Sequence, residues 1–190
     1  MSADTPTITA RRRELLDIAA DLFAGGGFAN VTVDEIGEAA GVSGPALYHH
    51  FAGKEALLGE MLVEISRRLL DGGRRTRRSS TDALQALVRF HCEFAVDNRS
   101  LITVHFRDLI HASADDQRSV RQLQGRYVTI WVDALRTRRP DITPRTARAA
   151  IHAAFGLINS TPYSATLPRQ EMIAMLEAMA LAALESVAPG

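Results

Sequence analysis

Only one cysteine, Cys92, occurs in 190 residues. An internal disulfide framework is therefore excluded, and a reduced thiol fits a cytoplasmic protein. Charge of one sign is also missing: 22 basic residues balance 22 acidic ones, so the whole chain is no polycation. The N-terminal MSADTPTITARRR lacks the apolar core of a signal peptide. The apolar stretch from Gln170 to Ala188 carries Glu171, Glu177 and Glu185, which argues against a membrane span and for a helix buried on two sides. From Thr81 onward there is no alternating strand pattern, and no internal repeat. A Gly-rich phosphate loop, a nucleophile elbow and carboxylates paired for catalysis are all wanting, so neither an enzyme nor a cofactor is expected. His91, Cys92, His105 and His111 lack the i, i+4 spacing of a helical chelate, so no metal is expected either.

What is present is helix. With 46% apolar and 23% charged residues the composition is globular, and the length suffices for a real core. Residues 1–8 read as a short disordered arm. Leu15, Ile18, Ala19, Leu22 and Phe23 give helical spacing from Thr9 to Ala24, closed by Gly25-Gly26-Gly27. A helix is predicted from near Gly53 to about Leu70, after which Gly72-Gly73 and the basic run RRTRRSS read as a break and a solvated linker. Beyond it, helices are predicted over 82–97, 100–111, 115–138, 143–160 (with Thr143-Pro144 as cap and first-turn proline) and from Pro168 onward. The expected architecture is all-α, of about nine helices. A three-helix head over 9–54 is followed by a connecting helix and linker over 55–78 and a larger ligand-binding and dimerisation body over 79–188.

The stretch Val31 to Phe51 organises the head. Thr32 and Glu35 stand at capping-box spacing, Val31 and Ile36 bracket them as a hydrophobic staple, and Gly41 can stop the first helix in a positive-φ conformation. Ser43 can cap a second helix with Pro45 in its first turn. Gly37 and Ala40 leave room for two short helices to cross closely, which is the pattern of a helix-turn-helix over residues 32–51.

The run TVDEIGEAAGVSGPALYHHFAGKEALL resembles the DNA-binding region of the tetracycline-repressor (TetR) family of bacterial regulators. The segment LYHHF…KEALL is its most specific part, and the match is dense from Arg11 to Leu62. The resemblance implies a dimer joined through the last two helices, an inducer site in the body, and a phosphate contact for Lys54.

Residues 1–54 hold four basic and seven acidic residues, a net of −3, so DNA binding depends on where the cations sit rather than on bulk charge. Lys54 at a helix start, Thr32, Tyr48 and His50 are the candidates for backbone contact, and Arg11 to Arg13 can sample a neighbouring groove. Ser43, Gly44, Pro45, Ala46, Tyr48 and His49 form the reading helix. None is Arg, Asn or Gln, so bidentate readout of guanine or adenine is not available, and thymine methyl groups and groove shape remain. His49 and His50 are adjacent, point in different directions on a helix, and chelate one ion poorly.

In the body, Ala147, Ala149, Ala150, Ala153, Ala154 and Gly156 line one helix with small residues. Met172, Ile173, Met175, Leu176, Met179, Leu181 and Leu184 make the last one apolar nearly all round. A terminal helix without a wet face is most simply covered by a second copy, and paired heads give two half-sites on a double-stranded operator. Phe90, His91, Phe94, His105, Phe106, Tyr127, Trp131, Phe155 and Asn159 combine rings with a few polar atoms, which describes either a core or a small-molecule pocket between helices. The leading expectation is a cytoplasmic repressor released by an apolar effector such as an acyl thioester or an aromatic compound. Alternatives are a metal-responsive regulator, a small all-α enzyme and an interaction scaffold.

Overall fold

The computed structural model describes residues 10–164 and 166–189. The arm expected at 1–8 and the helix start at Thr9 lie outside the described residues. Among those described, the elements are α1 (Ala10–Gly26), α2 (Val33–Ala39), α3 (Gly44–Tyr48), α4 (Lys54–Ser79), α5 (Ala83–Asp97), α6 (Arg99–Asp108), a 3-10 turn (Leu109–His111), α7 (Ala114–Arg138), α8 (Pro144–Ile158), the single turn α9 (Thr161–Ser164) and α10 (Arg169–Glu185). No strand occurs among them. Side-chain caps set several starts: Asp82 accepts from the Gln85 N–H, Ser113 from Asp116 and Thr143 from Thr146, each at 3.1 Å.

The largest departure from the sequence reading is α4, which does not stop near Leu70 but continues through the basic run to Ser79. Gly72 and Gly73 are buried packing sites rather than breakers. A Cβ on Gly72 would lie 2.2 Å from Cζ of Phe90, and one on Gly73 would lie 2.5 Å from Cε2 of Tyr127. Rings from α5 and α7 therefore occupy the space that side chains at 72 and 73 would need, and this contact more than offsets the roughly 1 kcal/mol of helix propensity a glycine forfeits. Gly73→Ala is expected to destabilise the fold by about 1–2 kcal/mol, an overpacking cost reduced by the regained propensity. A lower urea midpoint at unchanged slope would register it.

Two apolar clusters result. One is built from α5, α7, α8 and α10 around Trp131, Leu87, Val88, Ile151 and Leu176. The other fills the head with Leu15, Phe23, Ile36, Leu47, Leu58 and Leu62, yet it also takes in Leu101 and Val104 of α6 and Val120 of α7. Head and body thus share a core: α1 lies on α6 and α4 lies on α7. Arg107, at the end of α6, reinforces this by donating to the carbonyls of Phe23 and of Ala24 (3.2 Å) near the C-terminal end of α1, where a cation suits the helix dipole. Its other face is held by the buried carboxylate of Asp108 at 2.9–3.0 Å.

Candidate functional site

The head is assembled as its local signals require. Thr32 caps α2: its Oγ1 accepts from the Glu35 N–H at 3.2 Å, and its own N–H donates to Glu35 Oε2 at 2.7 Å. Those Thr32 donors hold the Glu35 carboxyl below the usual carboxylate range. Gly41 ends α2 at φ +66°, and the Ser43 hydroxyl caps α3 by accepting from Ala46 N–H at 3.3 Å. Ile36, Gly37, Ala40 and Leu47 are buried between α2 and α3, so the outer side of α3 is left to Ser43, Pro45, Tyr48 and His49, all exposed, with Tyr48 at 56%. Ala46 and His50 are half-buried. Arg12 ties this unit to α1: its guanidinium bonds both Glu60 carboxylate oxygens at 2.5 Å, donates to the His50 carbonyl and covers the Phe51 ring at 4.3 Å.

Two cations expected to contact DNA also hold partners within the protein. Lys54, the chain's one lysine, reaches back over the ring of Phe28 (4.5 Å) and donates to the carbonyls of Phe28 (2.8 Å), Val31 (2.9 Å) and Ala29 (3.4 Å). The reason is local: a cation at the start of α4 opposes that helix's dipole and is drawn to the carbonyl oxygens of the α1–α2 loop. Arg11 likewise bonds Glu14 and the Ala40 carbonyl at the end of α2, each at 2.7 Å.

The body holds a cavity of about 260 Å³ bounded by α4, α5, α6, α7 and α8. Of the residues expected there, His91, Phe94, His105, Phe106, Tyr127, Phe155 and Asn159 line it. Phe90 and Trp131 do not. Phe90 faces the other way and packs on Gly72 of α4. Trp131 is wholly buried behind the cavity wall, its ring meeting Phe155 edge to face at 4.9 Å and His91 at 5.8 Å. The sequence did not point to Ile65, Ser66, Leu69, Ile102, Gln124, Val128, His152 or Gly156, which complete the lining. Gly156 was legible only as a small residue; Gln124 and His152 carried no signal.

Burial keeps His91, in the cavity wall, neutral. His91 is 3% exposed, bonds Tyr127 Oη through Nδ1 and Asn159 Oδ1 through Nε2, both at 3.1 Å, and stacks on Phe155 at 4.7 Å. Burial pushes its pKa down to about 4, against a small opposing effect of Asn159, and pushes the Tyr127 hydroxyl up. The same cause lowers His105, whose Nε2 faces the Gln124 amide. The remaining metal candidates are scattered: Cys92 is a buried thiol pushed up to about 12, and His111 stacks on Phe28 at 5.2 Å. Among the described residues no three His, Cys, Asp or Glu side chains converge on one point.

On the outside of the body, α10 buries Met172, Ile173, Leu176, Ala180 and Leu184, while Met175 (38%) and Met179 (49%) stand exposed among alanines 174, 178, 182 and 183. Beside it α8 exposes Ala149, Ala153 and Gly156. Two neighbouring helices therefore share an outward strip of small and flexible apolar groups. No helix among the described residues is long and apolar enough to cross a membrane.

Comparison with known proteins agrees with this layout. Residues 15–61 match the family "Bacterial regulatory proteins, tetR family", and residues 77–163 match the "Tetracyclin repressor-like, C-terminal domain". The transcriptional repressor KstR2 of Rhodococcus jostii is 33% identical over 136 residues, covering 70% of this chain and 67% of that one. A TetR-family regulator from Bordetella parapertussis superposes with a TM-score of 0.80 at 25% identity, over 90% of this chain and 94% of that one. The regulator FadR of Bacillus subtilis, solved in complex with stearoyl-CoA, has the same fold (TM-score 0.72, 17% identity, 92% and 96% covered). A capped helix-turn-helix fused through a shared core to a helical body, with both parts matched, makes this chain a member of the tetR family of DNA-binding transcriptional regulators.

Proposed function

We propose that the chain is a cytoplasmic repressor that binds its operator as a twofold dimer and is released by a small, mostly apolar ligand such as an acyl thioester or an aromatic compound. The observation that carries this is the ring-lined cavity between α4 and α6. Those same two helices hold α1 and the reading unit, so a ligand that spreads them moves the heads. The cavity is close to the lower end of the roughly 300–1,000 Å³ range of small-molecule sites, which favours a medium-length acyl chain or a small ring system. That B. subtilis FadR holds stearoyl-CoA on the same fold, and that KstR2 is named a repressor, support the assignment. The outward strips of α8 and α10 supply the dimer contact, each pairing with its copy. Native mass spectrometry of the purified dimer and titration with acyl-CoA esters of graded length test the ligand class. Uptake peaking at medium length is expected, and no uptake of any ester or arene would refute it.

Within the head, Ser43, Gly44, Pro45, Ala46, Tyr48 and His49 are the proposed groove contacts, with Thr32 and His50 at the backbone and Arg11 reaching a neighbouring groove. Lys54 takes a different part: its ammonium fastens the loop that sets α2, and the phosphate is met by the free N–H groups at the start of α4. Lys54→Gln is expected to weaken binding to all DNA sequences, because about 1.5–3 kcal/mol of charge-assisted bonding to the loop is lost. The slope of log K against log salt is expected to stay unchanged. A slope shallower by about 0.9 would instead mark a direct phosphate contact.

A further inference from the structure

The chain of hydrogen bonds through His91 has a fixed direction. Asn159 Oδ1 can only accept, so the His91 Nε2 that faces it at 3.1 Å carries the proton. In a neutral ring Nδ1 is then bare, and the Tyr127 hydroxyl must donate to it at 3.1 Å. The ring stacks on Phe155 at 4.7 Å and lies 5.7 Å from Tyr127, with Phe155 and Tyr127 themselves 5.6 Å apart, so three mutually packed rings hold the imidazole in place. Neutrality is enforced by burial. With its oxygen occupied, the Asn159 amide has only one orientation. Its Nδ2 has no acceptor among the described residues, while Asn159 itself lines the cavity. A pair of N–H donors is therefore presented to a space otherwise walled by Ile65, Leu69, Ile102, Val128 and aromatic rings. A ligand oxygen that meets this donor gains a hydrogen bond that the apolar walls do not offer. No Arg, Lys, Asp or Glu lines the cavity among the described residues, so an anionic oxygen would find no fixed counter-charge.

We infer that the cavity selects ligands bearing a neutral carbonyl oxygen, of a thioester or a ring ketone, which accepts from the Asn159 amide, and that His91 and Tyr127 are positioning residues that fix which way this amide faces. The inference rests on the ligand-responsive reading above and adds the group that is read. Calorimetric titration of the dimer with decanoyl-CoA and with S-decyl-CoA, in which a methylene replaces the carbonyl, tests it directly. A second pair, 2-decalone and decalin, separates a ketone from a thioester. The carbonyl member of at least one pair is expected to bind tenfold or more tightly than its partner. Asn159→Leu is expected to abolish that preference. Tyr127→Phe, which frees His91 to carry its proton on Nδ1 and the amide to turn, is expected to reduce it severalfold. Unchanged helical content and urea midpoint of each variant are the control for folding. Equal affinity within both pairs for the unaltered protein would overturn the carbonyl assignment alone. No binding of any of the four would overturn the ligand reading and the inference with it. A preference that survives in Asn159→Leu would show that another group reads the oxygen.

Discussion

Met179→Glu is expected to abolish operator binding without altering the helix-turn-helix. Met179 is half exposed in the middle of the outward strip of α10, one turn from Met175 and beside the buried row of Met172, Leu176 and Ala180. In a twofold interface the substitution is made twice, and each carboxylate removed from water without a partner costs about several kcal/mol. A lone head retains only the sequence-independent part of its affinity, with Kd of roughly 10⁻⁴–10⁻⁶ M against about 10⁻⁸–10⁻¹¹ M for a specific dimer. The drop is therefore expected to be about a hundredfold or more. Sedimentation at micromolar concentration is expected to show one subunit, with helical content unchanged. A variant that still sediments as a dimer and still binds would move the interface away from α8 and α10.

Acidification is expected to destabilise the body chiefly through His91. In the unfolded chain its imidazole takes up a proton at the ordinary value of 6.5, whereas in the folded protein it does so only at about 4. Above pH 6.5 both forms are neutral and the full stability is present. As the pH falls, the unfolded chain binds the proton first, so stability declines through this window and levels off below about 4. Every tenfold loss of proton affinity on folding corresponds to about 1.4 kcal/mol, so the whole decline is about 3 kcal/mol. Urea unfolding at pH 7 and pH 4.5 is expected to show the unaltered protein losing about 2–3 kcal/mol more than His91→Gln over that interval. His105 is shifted in the same direction by burial and is common to both proteins, so the comparison isolates His91. Equal losses would mean that the imidazole is not held neutral.

The head was legible because its signals are local. Thr32 with Glu35, Ser43 with Ala46 and the positive φ of Gly41 involve residues at most a few positions apart, and the structure has each of them. The same reasoning failed at Gly72 and Gly73, because glycine spacing does not tell a chain break from a close approach. What decides between them is Phe90 and Tyr127, which come from other helices. The ring content of the body was visible as well, but the direction of each ring was not. His91 and Phe94 turn inward, whereas Phe90 on the same helix packs against α4 and Trp131 fills the space behind. Lys54 shows the limit most plainly: its place at a helix start could be read, but the three carbonyls it grips converge only once the loop has folded. The cavity arises where five helices fail to meet, so Gln124, His152 and Ser66 could not have been marked in advance.

One coupling is central, between occupancy of the body cavity and the grip of the paired heads. Fluorescence anisotropy of labelled DNA from the region upstream of the protein's own gene, titrated with decanoyl-CoA, measures it directly. A salt-sensitive complex that dissociates as the cavity fills is the expected result, together with an Ile102→Trp protein that binds the same DNA but ignores the ligand because its cavity is blocked. Decanoyl-CoA that binds the protein stoichiometrically while the DNA affinity stays constant would contradict it.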